Sequence, residues 1–158
     1  MKKEYPKPVI TLSENICTRG AYYIAAATDC IICSPSTIVG GIGEELPALY
    51  TIKKALSQHN IESNTITAGS YTISQTPSRT VTPEQTVMLQ KLAHNKYEQF
   101  AHNIALTRKL SFAQKEKWAD GKLFTGQQAL GIGLIDDFGS YSTALKPIHA
   151  LAPIAGAT

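Results

Sequence analysis

Residues 11–27 read TLSENICTRGAYYIAAA, and much of the predicted architecture follows from this segment. It comes after the short apolar run Pro8-Val9-Ile10, which is typical of a buried strand, and it ends in an alanine-rich segment typical of a closely packed helix. A strand, a tight turn and a helix N-terminus in this order form the place where many hydrolases carry a nucleophile. The residue at the predicted turn is Arg19, whose guanidinium stays protonated and cannot attack a carbonyl group.

The composition is that of a folded domain. The chain has 158 residues, of which 43% are hydrophobic and 17% charged, so a single domain with a buried core is expected. The net charge of +3 is too small, and the basic residues too scattered, to indicate nucleic-acid binding. No apolar run approaches the ~18 residues of a membrane span. The N-terminal residues lack the apolar segment of a signal peptide, so a cytoplasmic location is predicted for the chain as it stands.

Strand patterns alternate with helix patterns, which predicts an α/β domain with a mostly parallel sheet and flanking helices. The clearest local signal is Thr82-Pro83-Glu84-Gln85, where a cap, a helix-opening proline and a capping-box glutamine agree on the start of a long amphipathic helix. Residues 69–79 are polar and predict a loop. Strands are predicted at 9–12, 30–33, 36–42, 61–68, 123–124 and 134–136, and helices at 20–28, 47–57, 82 to about 104, 111–118 (capped by Ser111), 125–130 (capped by Thr125) and 141–146.

The predicted domain comprises residues 1–146, and residues 147–158 are expected to be a frayed tail. The first predicted strand begins almost at the N-terminus. A parallel sheet needs both edges covered, so the sheet is expected to be incomplete or to be completed by another chain.

The three cysteines, Cys17, Cys30 and Cys33, lie in apolar runs and are expected to be buried free thiols in a reducing compartment. The Cys30-x-x-Cys33 spacing could indicate a redox or zinc site. Residues three apart on a strand face opposite sides, however, so core packing is favoured. The four histidines form no metal-binding pattern, and no metal or cofactor is expected.

Two further motifs admit a chemical interpretation that the residues do not favour. The glycines from Gly40 to Gly43 could form a phosphate loop, but no Lys-Ser/Thr pair follows them and two glutamates come next. The Asp136-Asp137 pair could act in acid–base chemistry, but capping of the following turn at Gly139 is the favoured interpretation.

Four segments, in this order, identify the chain as a member of the signal peptide peptidase A (protease IV) family of serine peptidases. The resemblance covers residues 7 to about 146. It implies a ClpP/crotonase-like fold, peptide substrates or ligands, cleavage of membrane-derived signal peptides by active members, and a membrane-associated location for most of the family. The four segments are Lys7–Ile10, Gly20–Asp29, Pro35–Gly43 and Asp120–Asp136.

The resemblance also implies a catalytic pair in which a serine attacks the peptide carbonyl and a lysine acts as general base. The family's serine precedes the glycine that matches Gly20, so its position here is Arg19. The family's lysine follows the predicted strand 61–68, so its position here is Thr72. Both catalytic positions are therefore expected to be lost. The oxyanion and substrate groove implied by the family comprises Gly20, Thr37, Ile38, Val39 and Gly40.

A third element of the family, a glycine-rich turn that completes the oxyanion hole, lies upstream of the segment matching Pro8. The chain therefore resembles the C-terminal part of one catalytic domain, truncated at its N-terminus.

Three functions remain open at this point. The first is a peptidase-family protein without catalysis, acting as a non-catalytic subunit or scaffold in a peptidase assembly. The second is an active peptidase whose chemistry a neighbouring subunit supplies. The third is acyl-CoA chemistry on the related crotonase scaffold, such as acyl-CoA binding, for which the distinguishing feature would be an acidic catalytic pair near the oxyanion loop; no such pair is found in the sequence. The long helix and the unfinished sheet predict a homo-oligomer or a complex with a chain that supplies the N-terminal part.

Overall fold

A computed structural model describes residues 7–48, 50–64, 66–69, 72 and 77–151, with side chains as far as residue 146. The chain divides into two compact units, one made of residues 1–43 and 97–158 and the other of residues 44–96. The elements in chain order are β1 (Ile10–Ser13), β2 (Ile16–Thr18), α1 (Gly20–Ala25), β3 (Cys30–Cys33), β4 (Ile38–Gly40), α2 (Lys53–Gln58), α3 (Pro83–Arg108), a 3-10 helix (Phe112–Lys117), β5 (Leu123–Thr125), α4 (Gly126–Gly131), β6 (Asp137–Phe138) and α5 (Tyr141–Leu151).

Sheet A of the first unit contains β1, β3 and β6 in that order, and all of its strands are parallel. The register pairs Ile10 with Cys30, and Ile32 with Asp137. Ile31 and Ile32 of the central strand are buried, as expected where elements cover both faces of a parallel sheet. This pairing confirms the predicted α/β class with parallel strands.

Sheet B contains β2, β4 and β5, with β2 parallel and β5 antiparallel to β4. Side chains along a strand alternate between the two faces. Cys17 and Val39, which are register partners, are buried in the core. The opposite side carries Ile16, Ile38 and Leu123, which are exposed, and these three residues define the outer face of sheet B.

The hydrophobic core lies in the first unit, between the strands and helices α1, α3 and α4. Alanines on these helices let their backbones approach closely. Larger side chains such as Tyr22, Ile31 and Ile104 fill the interior and are at most 1% exposed. Burial of one such aliphatic side chain stabilises the fold by about 1.5–3 kcal/mol.

The second unit contains α2 and the part of α3 up to Lys96. The predicted capping box at the start of α3 is confirmed. The Thr82 N–H donates to Gln85 Oε1 at 3.1 Å, and the Gln85 N–H donates to Thr82 Oγ1 at 3.3 Å. Near the other end of the unit, Lys96 forms an ion pair with Glu44.

The strand predicted at 61–68 is wrong, because its described residues, 61–64 and 66–68, form no strand. Ile61 and Ile66 are 54% and 98% exposed. Isoleucine and threonine favour a strand where one face is buried against neighbours, and these isoleucines face solvent instead.

Two predicted elements lie elsewhere than the hydrophobic pattern indicated. The strand predicted at 134–136 is replaced by β6 at Asp137–Phe138. Leu134 and Ile135 are buried in the core, but they precede the residues of β6 that pair with β3. The helix predicted at 47–57 is reduced to α2, which begins only at Lys53. The apolar run at Leu134 and Ile135 therefore predicted burial correctly, but not the position of the strand.

Further boundaries also differ. The segment predicted as a helix at 111–118 is a 3-10 helix, and the Ser111 side chain makes no capping bond. Strand β4 is shorter than predicted because Gly40 and Gly41 take positive φ values of 109° and 62°, which end the extended backbone. Strand β2 was not predicted.

Helix α5 continues past its predicted end at Lys146 to Leu151. The rest of the predicted tail, 152–158, lies outside the described residues. The assignment of 1–146 as one peptidase-family domain stays a prediction.

Candidate functional site

The turn between β2 and α1 lies where the sequence predicted it. Strand β2 ends at Thr18, helix α1 begins at Gly20, and Arg19 is the single residue between them. Arg19 has φ 52° and ψ −122°, a backbone conformation that residues other than glycine rarely adopt. Such strain costs about 1–3 kcal/mol, and it persists only where the surrounding structure imposes it. The same sharp strand-to-helix turn presents the nucleophile in hydrolases.

Hydrogen bonds on both sides of Arg19 impose this geometry. Its N–H donates to the Gly40 carbonyl oxygen at 2.9 Å, and its carbonyl oxygen accepts from the Tyr23 N–H at 2.9 Å. Helix α1 is anchored by Tyr22, which is fully buried and donates its hydroxyl to the Leu134 carbonyl oxygen at 2.7 Å. The turn is therefore fixed by the backbone and the core rather than by the Arg19 side chain.

The Arg19 side chain lies over the glycine turn that follows β4. A Cβ atom placed on Gly41 would lie 3.3 Å from Arg19 Cγ and 3.3 Å from Leu123 Cδ2, which is tighter than ordinary contact. Gly41 also donates its N–H to the Lys122 carbonyl oxygen at 2.8 Å. The absence of a side chain at position 41 thus leaves room for Arg19 and Leu123, which both lie close to the same point above Gly41.

The residues predicted as a groove divide into surface and interior positions. Gly20 and Ile38 are exposed, whereas Thr37 and Val39 are fully buried. The Thr37 hydroxyl donates to the Ser13 carbonyl oxygen at 3.1 Å and accepts from the Ser34 N–H at 3.1 Å, so it joins two loops.

Gly40 contributes its backbone to the turn. Its carbonyl oxygen receives the Arg19 N–H, and a Cβ atom on it would lie only 2.9 Å from the Lys122 carbonyl oxygen. Gly40 is therefore adjacent to Arg19 in space, and it is buried.

Thr72 belongs to the second unit. Its hydroxyl donates to the Ala68 carbonyl oxygen, and its N–H donates to the Gly69 carbonyl oxygen at 3.1 Å. Both polar groups of Thr72 therefore stabilise a local turn. Most of its neighbours in the predicted loop, residues 70, 71 and 73–76, lie outside the described residues.

The cysteines are free thiols, as predicted, and two of them are buried. Burial raises the pKa of Cys33 to about 11 and also raises the pKa of Cys17. A thiol with a raised pKa is protonated near neutral pH and is a poor nucleophile. Cys17, although only two residues from Arg19, is therefore a poor nucleophile in the folded chain.

The interpretation of Asp136 and Asp137 as caps of the turn at Gly139 is wrong. Asp136 forms a two-point ion pair with Arg108 at 2.7 and 2.9 Å, and it also accepts from the Ile31 N–H at 2.7 Å. Asp137 accepts from the N–H of the next residue, Phe138. Burial alone would raise the pKa of Asp136, but the bonds from Arg108 and the Ile31 N–H outweigh it and hold that pKa below its usual value. This pair ties α3 to sheet A, and nothing in the local sequence indicated it.

The described residues offer neither a metal site nor a membrane-spanning helix. Over the ranges that the structure describes, no three His, Cys, Asp or Glu side chains are grouped closely enough to hold a metal ion. None of the helices described here combines the length and apolar character that crossing a membrane requires.

The relatives of this chain include several that are named as proteases, and three of them are described here. A protein of Methanocaldococcus jannaschii, provisionally named a protease, is 35% identical over 94% of this chain and 47% of its own length. The chloroplastic serine protease SPPA of Arabidopsis thaliana is 31% identical over 88% of this chain and 20% of its own length. Protease 4 of Salmonella typhi is 30% identical over 94% of this chain and 24% of its own length. The chain thus spans about half, or less, of these relatives.

Solved structures with a similar chain path include two enoyl-CoA hydratase/isomerase family proteins. The protein from Silicibacter pomeroyi is 18% identical, with a TM-score of 0.47, over 93% of this chain and 42% of its own. The protein from Hyphomonas neptunium is 18% identical, with a TM-score of 0.44, over 93% of this chain and 38% of its own.

The family comparison agrees with the resemblance in the four sequence segments. The model of peptidase family S49 matches residues 1–154, which is nearly the whole chain. Both the strained strand-to-helix turn and the ordered segments lie within this match. The chain therefore belongs to peptidase family S49.

Proposed function

We propose that this chain binds peptides without hydrolysing them and acts as a non-catalytic subunit or scaffold in a peptidase assembly. The observation that carries the proposal is Arg19 at the strained turn between β2 and α1. Membership of peptidase family S49 supports a peptide as the ligand. Two relatives are named as a serine protease and as protease 4, which supports serine-type peptide hydrolysis as the activity from which this chain departs.

Arg19 removes the attacking atom. A serine at this turn would present its hydroxyl to a peptide carbonyl, whereas a guanidinium is protonated at every accessible pH and has no lone pair to donate. The neighbouring side chains do not compensate. Cys17 is buried with a raised pKa, and Thr18 lies in β2 at the end of the strand rather than at the turn.

Thr72 removes the proton acceptor. In a serine–lysine pair, the neutral amine of the lysine takes the serine proton. A threonine hydroxyl is not basic enough to hold that proton near neutral pH, and the Thr72 hydroxyl already donates to the Ala68 carbonyl oxygen. Position 72 therefore supports local loop structure in place of proton transfer.

A fluorophosphonate probe and a peptide-cleavage assay test the proposal on the full chain. We expect no labelled serine and no cleavage of apolar peptides. Labelling at a serine of this chain, together with turnover, would contradict the proposal.

The variant pair Arg19→Ser and Arg19→Ser/Thr72→Lys tests the assignment of the two positions. We expect the probe to label Ser at position 19 only when Lys is present at position 72, because only then is the hydroxyl activated. Arg79→Ser, with and without Thr72→Lys, is the matched control, since it puts a serine at another exposed arginine. Equal labelling at positions 19 and 79 would show that the turn confers no reactivity.

The proposed assembly is a homo-oligomer or a complex with another chain of the peptidase assembly. The exposed isoleucines and leucine of the outer face of sheet B supply apolar surface for contacts. Sedimentation velocity over a range of protein concentrations measures self-association directly. A monomer at all concentrations, alone and with peptide, would count against the homo-oligomer.

A further inference from the structure

The second unit contains a cavity with a volume of about 420 Å³. Helix α2 contributes Lys53, Leu56 and Ser57 to its lining, and the segment 61–64, which follows the helix after two residues, contributes another wall. Ser78 completes the lining from the segment that precedes α3. Small-molecule sites in proteins have volumes of about 300–1,000 Å³. The cavity is therefore large enough for a small organic molecule.

Hydrogen bonds join the parts of this lining to one another. The Ile52 N–H, immediately before α2, donates to the Pro77 carbonyl oxygen at 2.7 Å. The Ser63 hydroxyl donates to the Ser78 hydroxyl oxygen at 2.8 Å. The segment that precedes α3 is thereby held to α2 and to the segment 61–64, so the cavity exists before a ligand enters it.

Lys53 and Glu62 give the cavity two opposite charges. Both residues are exposed, and neither side chain forms an ion pair with the other or with a further residue in the part of the chain that the structure describes. A lysine ammonium binds a carboxylate, and a glutamate carboxylate binds an ammonium, through charge-assisted hydrogen bonds. A single ligand that carries both groups would satisfy both side chains.

The serine hydroxyls of the lining divide into acceptors and a donor. The Ser57 hydroxyl donates to the Lys53 carbonyl oxygen at 2.9 Å, and the Ser63 hydroxyl donates to Ser78. The hydrogens of Ser57 and Ser63 are thus engaged, while their oxygens can still accept. Ser78 accepts from Ser63 and keeps its own hydrogen to donate. The acceptors suit an ammonium group and the donor suits a carboxylate.

We propose that this cavity binds a free dipeptide with aliphatic side chains. The ligand carboxylate lies on Lys53, its ammonium lies on Glu62, and its side chains cover Leu56 and Ile61, of which Ile61 is 54% exposed in the empty cavity. The lining lies wholly within the second unit, whereas the turn at Arg19 belongs to the first. The inference therefore does not rest on the proposed function, and it adds a second ligand site with its own ligand class.

The probe is leucyl-leucine, compared with its N-acetyl form, its C-terminal amide and the form blocked at both ends. Titrations with the full chain, followed by saturation-transfer difference NMR, measure the four affinities. We expect each blocked end to weaken binding about fivefold, the upper size of effect for an ion pair exposed to solvent. Glycyl-glycine keeps both charges but lacks the aliphatic side chains, so it should also bind more weakly than leucyl-leucine.

Matched variants assign each charge of the ligand to one side chain. Lys53→Gln should remove the difference between the C-terminal acid and the amide, and Glu62→Gln should remove the difference between the free and the acetylated N-terminus. Lys54→Gln changes the next lysine of α2, and Glu116→Gln changes an exposed glutamate of the 3-10 helix. Both controls should leave all four affinities unchanged. Circular dichroism of each variant checks that the fold is retained.

Three results would overturn the inference. Equal binding of the four forms of leucyl-leucine would show that the cavity does not recognise the charged ends. A preference for both free ends that survives in Lys53→Gln and in Glu62→Gln would place the dipeptide site elsewhere. Absence of saturation transfer to any of the dipeptides would show that the cavity takes no ligand of this class.

Discussion

The backbone N–H of Arg19 donates a 2.9 Å hydrogen bond to the carbonyl oxygen of Gly40. This bond joins the end of β2 to the glycine turn that follows β4, and it holds Arg19 at φ 52°. Because the partner groups are backbone atoms, the bond does not depend on which side chain stands at position 19. The strained turn is therefore a property of the main chain.

Replacement of Arg19 by glycine should give a more stable protein than replacement by alanine. Both variants remove the guanidinium, but only glycine takes a positive φ without steric cost, so we expect a difference of about 1 kcal/mol in the free energy of unfolding. Urea denaturation monitored by circular dichroism measures it. Arg79 is the control, because it does not have a positive φ and its alanine variant should be at least as stable as its glycine variant. If Arg19→Ala were as stable as Arg19→Gly, the conclusion that the backbone is strained at position 19 would be wrong.

Asp136→Asn should destabilise the fold by about 2 kcal/mol. The Arg108 side chain is only 9% exposed, and loss of its ionic partner leaves a mostly buried cation unpaired. The cost is smaller than for a fully buried pair because Asp136 itself is 38% exposed. Asp137→Asn is the matched control and should change the stability by less than about 1 kcal/mol, since within the described part of the chain Asp137 accepts a hydrogen bond from the N–H of its neighbour Phe138 and pairs with no cation. Similar losses of stability in both variants would show that the ion pair of Asp136 with Arg108 makes no particular contribution to the fold.

The same variant should show a defined pH dependence. The pKa of Asp136 is lowered in the folded state, so its contribution is complete above the unfolded value of about 3.9 and disappears as the pH falls through the folded value. The difference in Tm between the natural chain and Asp136→Asn should therefore be constant from pH 5 to 8 and become smaller below about pH 4. Thermal unfolding at a series of pH values measures it. A difference that grows on acidification would have the wrong sign.

Tyr22→Phe should cost about 1–2 kcal/mol, because it leaves the buried carbonyl oxygen of Leu134 without its donor. Tyr23→Phe removes a hydroxyl from the next residue, where the partner is the Asn103 side chain at an exposed position. That control should cost less than about 0.5 kcal/mol. Denaturant titration of both variants makes the comparison, and a larger loss at Tyr23 would mean that the anchor of α1 has been misassigned.

Thiol modification should follow burial and pKa. Cys33 has a pKa of about 11 and no exposed surface, so it should react more slowly with iodoacetamide at pH 8 than Cys30, which is half-buried. Cys17 should also lag behind Cys30. Mass spectrometry of peptides from the folded protein gives the order, and the unfolded protein in urea, where all three should react alike, is the control. Rapid labelling of Cys33 in the folded chain would contradict its burial.

Local signals in the sequence were sufficient for several elements. The starts of α3 and α4 were predicted from Thr82 with Gln85 and from Thr125, and both capping boxes are formed. A capping box uses residues three apart, so the sequence window contains everything that it needs. The turn at Arg19 could be located from the predicted start of α1 at Gly20, although β2, which leads into the turn, was not predicted.

Other features depend on residues that are far apart in the sequence, so they could not be predicted from short local segments. Arg108 and Asp136 are 28 positions apart, and their ion pair exists only because α3 lies beside sheet A. The run at 61–68 has the composition of a strand, but only a partner and a buried face would have made it one. The approach of the Arg19 and Leu123 side chains to the same point above Gly41 likewise requires β2, β4 and β5 to be assembled first.

Because main-chain hydrogen bonds set the orientation of residue 19, the turn is a suitable position for attaching a synthetic group to the protein. Any side chain substituted there would leave the backbone in the same direction, over Gly41 and beside an apolar surface. A cysteine at position 19 would give one directed attachment point for a synthetic catalyst or a spectroscopic label, once the three natural thiols are removed. The direction of the side chain at position 19 is thus set by the backbone and does not depend on which residue is placed there.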